Sequence, residues 1–330
     1  MTTATEAAPA SAAGALTIRL TDRERHELGL LAEKLSTAGS GLVDDLDWLA
    51  RARELSCRAP LRLRETIRRY RHDCGPDAVL LIRNLPLDEE ALPETPTVRG
   101  SVERRATVAA CLSALLSLQL GEVIAFREEK SGALVQNVVP VRGLESSQSN
   151  AGSVDLEMHT ENAFHPNRPD FVGLLCLRND HSGTAGTLVS SIRRALPLVP
   201  DGARRVLTEA RFVTEPPPSF RAGDATVPHA VLDGDPADPN IRVDFAATVA
   251  LDDEGKQALE QLRDALVPAS RMVVLHSGEL AFIDNRLALH GRSSFVPRYD
   301  GRDRWLHRAF VHLDNRRSRV DRPDNGAVLS

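Results

Sequence analysis

Apolar side chains recur at helical spacing through the first third of the chain. Thr21-Asp22-Arg23-Glu24 reads as a capping box that opens a helix, with Leu28, Leu31 and Leu35 sharing one face. Gly39 and Gly41 end it. Two more helical patterns cover 44–56 and 60–72, the second starting at a proline, which a first helical turn accommodates. Ala78-Val79-Leu80-Leu81-Ile82, bounded by Gly75-Pro76 and Pro86, suits a short buried strand, and 86–96 is irregular. Residues 101–120 predict the longest helix, apolar enough after Thr107 to be buried.

From Val123 onward the spacing changes. Short β-forming runs separated by turn formers dominate, at 134–139, 171–177, 187–192, 211–214, 241–245, 271–275, 280–283 and 305–313. Helical patterns interrupt them at 201–209 and 253–266. This predicts a mainly β protein with flanking helices, a sandwich or barrel against which the helical third packs. No internal repeat or linker divides the chain, so 16–320 is expected to be a single domain. A disordered tail over 1–15 and a loose C-terminal tail over 321–330 flank it. Pro216-Pro217-Pro218 and 233–240 are expected to be surface loops.

Composition narrows the function classes. Residues 1–15 hold one charged side chain, Glu6, and lack the basic start and apolar core of a secretory signal. No apolar run approaches the ~20 residues needed to span a bilayer. The net charge of −5 gives no general attraction to nucleic acid or to an anionic membrane surface. Cys57, Cys74, Cys111 and Cys176 match no zinc or redox spacing, which suits a reduced, cytoplasmic protein.

The candidate chemistry begins at His159 and Glu161. If the chain is extended there, alternate residues point to one side and both can reach one ion. His-x-Glu alone is a common pair and does not make a metal site. A third donor is available at His290, and two imidazoles with one carboxylate form the ligand set of oxygen-activating non-haem Fe(II) centres. Arg304 and Arg308 follow, four residues apart on a strand-like run, so both guanidiniums face the same way. Beside Leu306 and Phe310 they call for anionic partners, although a solvated edge strand could carry them equally well.

Taken in order, several segments share a pattern. They are Gly132-Ala133-Leu134-Val135-Gln136, Asn150-Ala151-Gly152-Ser153, His159-Thr160-Glu161-Asn162-Ala163-Phe164 and Arg168-Pro169-Asp170-Phe171, then Asp284-Asn285, His290-Gly291-Arg292 and Pro297-Arg298-Tyr299-Asp300-Gly301 leading to Arg304. In these, residues 75–320 resemble the Fe(II)/2-oxoglutarate oxygenases of the clavaminate synthase-like group, and most of all its asparagine 3-hydroxylases. The resemblance implies a double-stranded β-helix, or jelly roll, with flanking helices. It also implies Fe(II), 2-oxoglutarate and O2 as cofactors, with His159, Glu161 and His290 as iron ligands.

The resemblance places 2-oxoglutarate against Arg304, whose planar fork suits a carboxylate, and against Thr187. It places the substrate α-carboxylate on Arg308 and the α-amino group near Gln136 and Glu161. Glu129 and Asn150 would line the substrate pocket, with Asp244 facing the substrate side chain. The implied reaction is C3 hydroxylation of a free L-amino acid to the 3S alcohol in natural-product biosynthesis. Arginine and lysine hydroxylases of this group tend to place a second acid two positions after the Asp244 position, where this chain has Ala246. That favours L-asparagine, while arginine, citrulline, glutamine or lysine, and attack at C4, stay open.

Other classes stay open as well. A zinc hydrolase can use two histidines and a glutamate, but there is no His-Glu-x-x-His helix and Arg304 has no role there. A non-catalytic jelly-roll binding protein is the second rival, although no ligand of the triad is missing. A halogenase would need a small residue in place of Glu161.

Overall fold

In the computed structural model, which describes residues 15–220 and 227–330, the capping box at Thr21 forms as its sequence dictates. Thr21 Oγ1 accepts from the Glu24 amide at 3.2 Å, and Glu24 Oε2 accepts from the Thr21 amide at 2.8 Å. Helix Asp22–Ser36 follows and buries Leu28, Ala32 and Leu35. Helices Leu46–Ser56, opened by Asp45, and Leu61–His72, opened after Pro60, match the expected patterns. The tail expected over 1–15 lies outside the described residues apart from Ala15.

The helix expected over 101–120 is shorter, Val108–Leu120. Thr107 caps it, and the preceding residues bond elsewhere: Glu103 N donates to Val135 O and Ala106 N to Gly41 O. The longest helix is instead Asp253–Ala269. Residues 233–240, expected to be a loop, form an antiparallel hairpin, Leu232–Asp235 with Asp238–Ile241. Their Asp, Gly and Pro residues mark a tight turn, and that turn is the hairpin's tip.

Eight strands form one sheet, with order Leu16–Arg19, Val79–Arg83, Glu279–Asp284, Phe171–Arg178, Trp305–His312, Glu122–Phe126 and Val328–Leu329. Gln136–Val138 is the eighth and pairs with Trp305–His312. Four strands form a second sheet, Ser270–Val274, Gly186–Ser191, Ala288–Arg292 and Leu156–His159. A continuous cluster of buried apolar side chains runs from Leu28, Leu35 and Leu49 through Leu115 to Phe171, Phe282 and Phe310. Full burial of each such side chain contributes about 1.5–3 kcal/mol.

The segment 321–330, expected to be loose, is held. Val328 and Leu329 pair in parallel with Ala125 and Phe126. The buried Arg322 donates to the carbonyls of Asn315 and Gly326, both at 2.6 Å. Polar composition hid this, because only two buried apolar side chains, Ala327 and Leu329, anchor the segment. Among the described residues no helix is long and apolar enough to cross a membrane.

Burial also sets the acid response. It pushes the imidazole of His307 down to about 3, and those of His165 and His229 down to about 4. All three are neutral in the folded protein at pH 7, and the unfolded chain takes up their protons first. Stability is therefore full above the ordinary histidine value and falls as pH drops from about 6.5 towards 4. Chemical denaturation at pH 7.5 and 5 is expected to give a loss of a few kcal/mol at the lower pH, and an unchanged midpoint would refute the neutral-histidine account.

Candidate active site

Strand Leu156–His159 lies at the edge of the four-stranded sheet, and its neighbour Ala288–Arg292 sets His290 directly opposite His159. Their ring centroids are 4.5 Å apart. Gly291 allows the two strands this approach, since a Cβ there would lie 2.5 Å from the Leu156 carbonyl oxygen. The strand ends at His159, so Glu161 does not share it as the alternation had suggested. Thr160 turns the chain instead, its amide and hydroxyl both bonding the Val243 carbonyl at 2.8 and 3.1 Å. Glu161 Oε2 then comes within 3.4 Å of His290 Nε2, and one donor atom from each of His159, Glu161 and His290 lies within 4.8 Å of the others.

The protonation pattern suits a cation. His159 Nδ1 lies 2.8 Å from the Glu157 carbonyl, so its N–H donates there and Nε2 is the nitrogen left to act as a metal ligand. Burial pulls the Glu161 carboxyl up, but Arg308 and His290 outweigh it and hold the group well below the usual carboxylate range. Burial and the neighbouring His159 keep His290 neutral by lowering its imidazole. Glu161 Oε2 is buried with no hydrogen-bond partner. An orphaned carboxylate oxygen facing imidazole nitrogens is costly by itself and is satisfied by a bound ion. The residues present therefore fit Fe(II), and the two-histidine, one-carboxylate set leaves coordination positions open.

Arg308, on strand Trp305–His312, stands beside this triad and is 3% exposed. Its Nη1 donates to Glu161 Oε1 at 2.8 Å, its Nη2 to Glu129, and its Nε to Gln136 Oε1 at 3.2 Å. The amide oxygen of Asn150, turned towards the guanidinium, accepts from it at 2.9 and 3.1 Å. Burial alone would weaken the charge on Arg308, but Glu161 and Glu129 hold it above its ordinary value. Burial lifts the Glu129 carboxyl despite Arg308 opposite. A cleft of about 540 Å³ opens here, bounded by Asn150, Glu157, His159, Glu161, Asp244 and Arg308. Asp244 is brought in by a backbone bridge to His159, and its Oδ1 accepts from the Ala246 amide at 2.8 Å.

Arg304 is different. It is buried, its Nε has no partner, and among the described residues it makes no hydrogen bond; its guanidinium stacks 5.7 Å from the Phe295 ring centroid. Burial lowers its pKa, and the nearby Cys176 and Asp180 offset this only in part. The loop before it is tightly held. Asp303 accepts from the amides of Arg298 and Tyr299 at 2.7 and 2.6 Å, and His181 Nε2 lies 3.3 and 3.5 Å from Asp300 and Asp303. The His181, Asp300 and Asp303 cluster reads as the clamp of this loop, since Asp303 uses both oxygens on backbone N–H groups. Thr187 is buried on Gly186–Ser191, opposite Arg292 in the ladder.

Residues 43–310 match the taurine catabolism dioxygenase TauD, TfdA family. The chain belongs to that family. It is 47% identical to the L-asparagine oxygenase of Streptomyces coelicolor over 91% of this chain and 90% of that protein. It is 34% identical to clavaminate synthase 2 of Streptomyces clavuligerus, over 88% and 90%. A solved asparagine oxygenase, holding Fe(II), (2S,3S)-3-hydroxyasparagine and succinate, superposes with a TM-score of 0.92 at 45% identity, covering 95% of this chain and 98% of that one. As the motifs implied, this is an iron- and 2-oxoglutarate-dependent oxygenase, mainly β with helices, of the amino-acid-hydroxylating kind.

The structure brings His159, Glu161, His290, Arg308, Gln136, Asn150 and Glu129 into one contact network, with Asp244 at the cleft wall. Sequence reading assigned no role to Asn285 or Lys130. Lys130 lines the cleft and donates to the carbonyls of Ser101 and Asn137. Asn285 is fully buried against the Glu161 backbone. An asparagine after a strand reads as a turn former, and only the fold shows what its amide meets.

Proposed function

We propose that this protein hydroxylates C3 of free L-asparagine, or of a closely similar polar amino acid, giving the 3S alcohol while 2-oxoglutarate becomes succinate and CO2. What carries the reading is a pair of buried guanidiniums four residues apart, Arg304 without a hydrogen-bonded anion among the described residues and Arg308 on the iron-ligand candidate Glu161. His159, Glu161 and His290 are assigned to Fe(II), and Arg304 with Thr187 to the far carboxylate of 2-oxoglutarate. Iron with 2-oxoglutarate and O2 supplies removal of hydrogen from an unactivated C–H bond. The protein's own residues decide which carbon is presented.

Arg308 already contacts Glu161, Glu129, Gln136 and Asn150. An incoming α-carboxylate therefore displaces one of them. Glu129 is the candidate, because it sits on a loop whose next three residues, Lys130, Ser131 and Gly132, all have positive φ, a conformation held under strain by the surrounding contacts. Gln136 and Glu161 are then left to face the α-amino group, and Asp244 to accept from a side-chain amide. The eight- and four-stranded sheets are read as the two faces of an open double-stranded β-helix around this site. The four unpaired cysteines support a reducing, cytoplasmic setting.

Asparagine is preferred over arginine because Asp244 is followed two places on by the exposed Ala246. Ala246→Asp is expected to shift the arginine-to-asparagine ratio of kcat/KM upwards by about 3–10-fold, the value of one partly exposed charge pair. An unchanged ratio would mean that position 246 does not reach the substrate side chain, and the argument from Ala246 would fall. The test of the whole reading is a screen of the twenty amino acids with citrulline and ornithine, scored by succinate formation and by a mass gain of one oxygen. If no amino acid raises succinate release above the substrate-free level in iron-loaded protein, the proposal fails.

A further inference from the structure

We infer that Asn285 is a positioning residue for the metal centre, acting through the backbone of Glu161; this rests on the assignment of His159, Glu161 and His290 to iron. Glu161 lies past the end of its strand, so its peptide groups have no ladder partner. The Asn285 side chain replaces one. Its Oδ1 accepts from the Glu161 amide at 2.7 Å, and its Nδ2 donates to the Glu161 carbonyl at 3.1 Å. A primary amide thus meets the N–H and C=O of one residue, as a neighbouring strand would. The second Nδ2 hydrogen goes to the Pro169 carbonyl at 2.8 Å, so both donors and the oxygen are used.

The location gives these bonds a consequence for the iron site. Asn285 follows strand Glu279–Asp284 and begins the turn that leads into Ala288–Arg292, which carries His290. Its own amide donates to the Asp170 carbonyl at 2.9 Å, and the side chain is 0% exposed. One side chain therefore ties the segment holding the carboxylate ligand to the turn five residues before the second imidazole, across 124 positions of sequence. Asn162, next to Glu161, is in the left-handed region with φ +51°, so the chain turns sharply at this point and needs an external hold. Without the amide, Glu161 is held by its side chain alone, Oε1 on Arg308 and Oε2 facing His290.

Asn285→Ala and Asn285→Ser test this, with Tyr70→Phe as a structural control. The Tyr70 hydroxyl lies 3.0 Å from the buried carbonyls of Ala78 and Phe282, so its loss destabilises the same sheet without touching the triad. Fe(II) dissociation constants are measured by anaerobic equilibrium dialysis, and melting temperatures with and without metal. Both Asn285 variants are expected to bind Fe(II) about 10–100-fold more weakly, the usual effect of losing a group that orients a ligand, and to lose most of the metal-induced rise in Tm. Tyr70→Phe is expected to keep wild-type affinity within about twofold despite a lower Tm. Wild-type affinity in either Asn285 variant overturns the inference. Wild-type protein that takes up no Fe(II) overturns the metal assignment instead. Should neither variant fold, hydrogen exchange at the Glu161 amide of the iron-free wild type decides: slow exchange supports the clamp, and exchange as fast as in an unstructured peptide refutes it.

Discussion

Replacing His290 by alanine is expected to lower amino-acid-dependent succinate formation by at least about 10³-fold, beyond the 10–100-fold cost of losing a residue that only orients a ligand. The imidazole Nε2 lies 3.4 Å from Glu161 Oε2, and among the described residues no histidine besides His159 is grouped with this pair. The fold should survive. Strand Ala288–Arg292 is held by backbone ladders on both sides, and His290 Nδ1 makes no hydrogen bond that would be lost. Circular dichroism of the variant should match the wild type. Anaerobic addition of Fe(II) and 2-oxoglutarate should give a weak visible charge-transfer band in the wild type and none in the variant. Retention of the band together with turnover within tenfold of wild type would mean that His290 is not a ligand. A zinc hydrolase reading makes the opposite demand, since its turnover would need neither O2 nor 2-oxoglutarate.

Much of this site was legible because its chemistry depends on residue types that are rare in a pattern. His159, Glu161, His290, Arg304 and Arg308 stand out once the ordered motifs are read together; the structure gathers the first three with Arg308, while Arg304 packs on Phe295. The elements that carry them were harder to see. Leu156–His159 alternates apolar and polar over only four residues, and Ala288–Arg292 does not alternate at all, so neither stands out as a strand. The helix over 101–120 was drawn too long for a similar reason: its first residues satisfy helical spacing locally, and distant carbonyls at Gly41 and Val135 claim their amides. Local preference yields to tertiary bonds at such places. Whether a buried arginine has a partner is likewise a property of the folded molecule, which is why Arg304 and Arg308 look alike in the sequence.

That difference gives the two arginines opposite stability signatures. Arg308→Met removes the cation from between Glu161 and Glu129, and breaking a buried pair in this way costs about 3–5 kcal/mol. Iron-free Arg308→Met is therefore expected to melt well below the wild type, with a raised KM for the amino acid. Arg304→Leu is expected to leave the melting temperature of the iron-free protein unchanged or higher, because a buried guanidinium with no hydrogen-bonded anion has its desolvation cost only partly offset, by the nearby Cys176 and Asp180. Its effect falls on the cosubstrate. Losing one side of a buried carboxylate pair costs about 2–5 kcal/mol, which corresponds to a rise of roughly 30- to 3000-fold in KM for 2-oxoglutarate, with the amino-acid KM little changed. Arg304→Lys keeps the charge but not the two-pronged geometry, and should recover only part of the loss. If Arg304→Leu instead raised the amino-acid KM and spared that of 2-oxoglutarate, the two guanidiniums would have to exchange roles. Destabilised iron-free Arg304→Leu would mean that Arg304 already has an anion in the resting protein, and its assignment to the cosubstrate would fall.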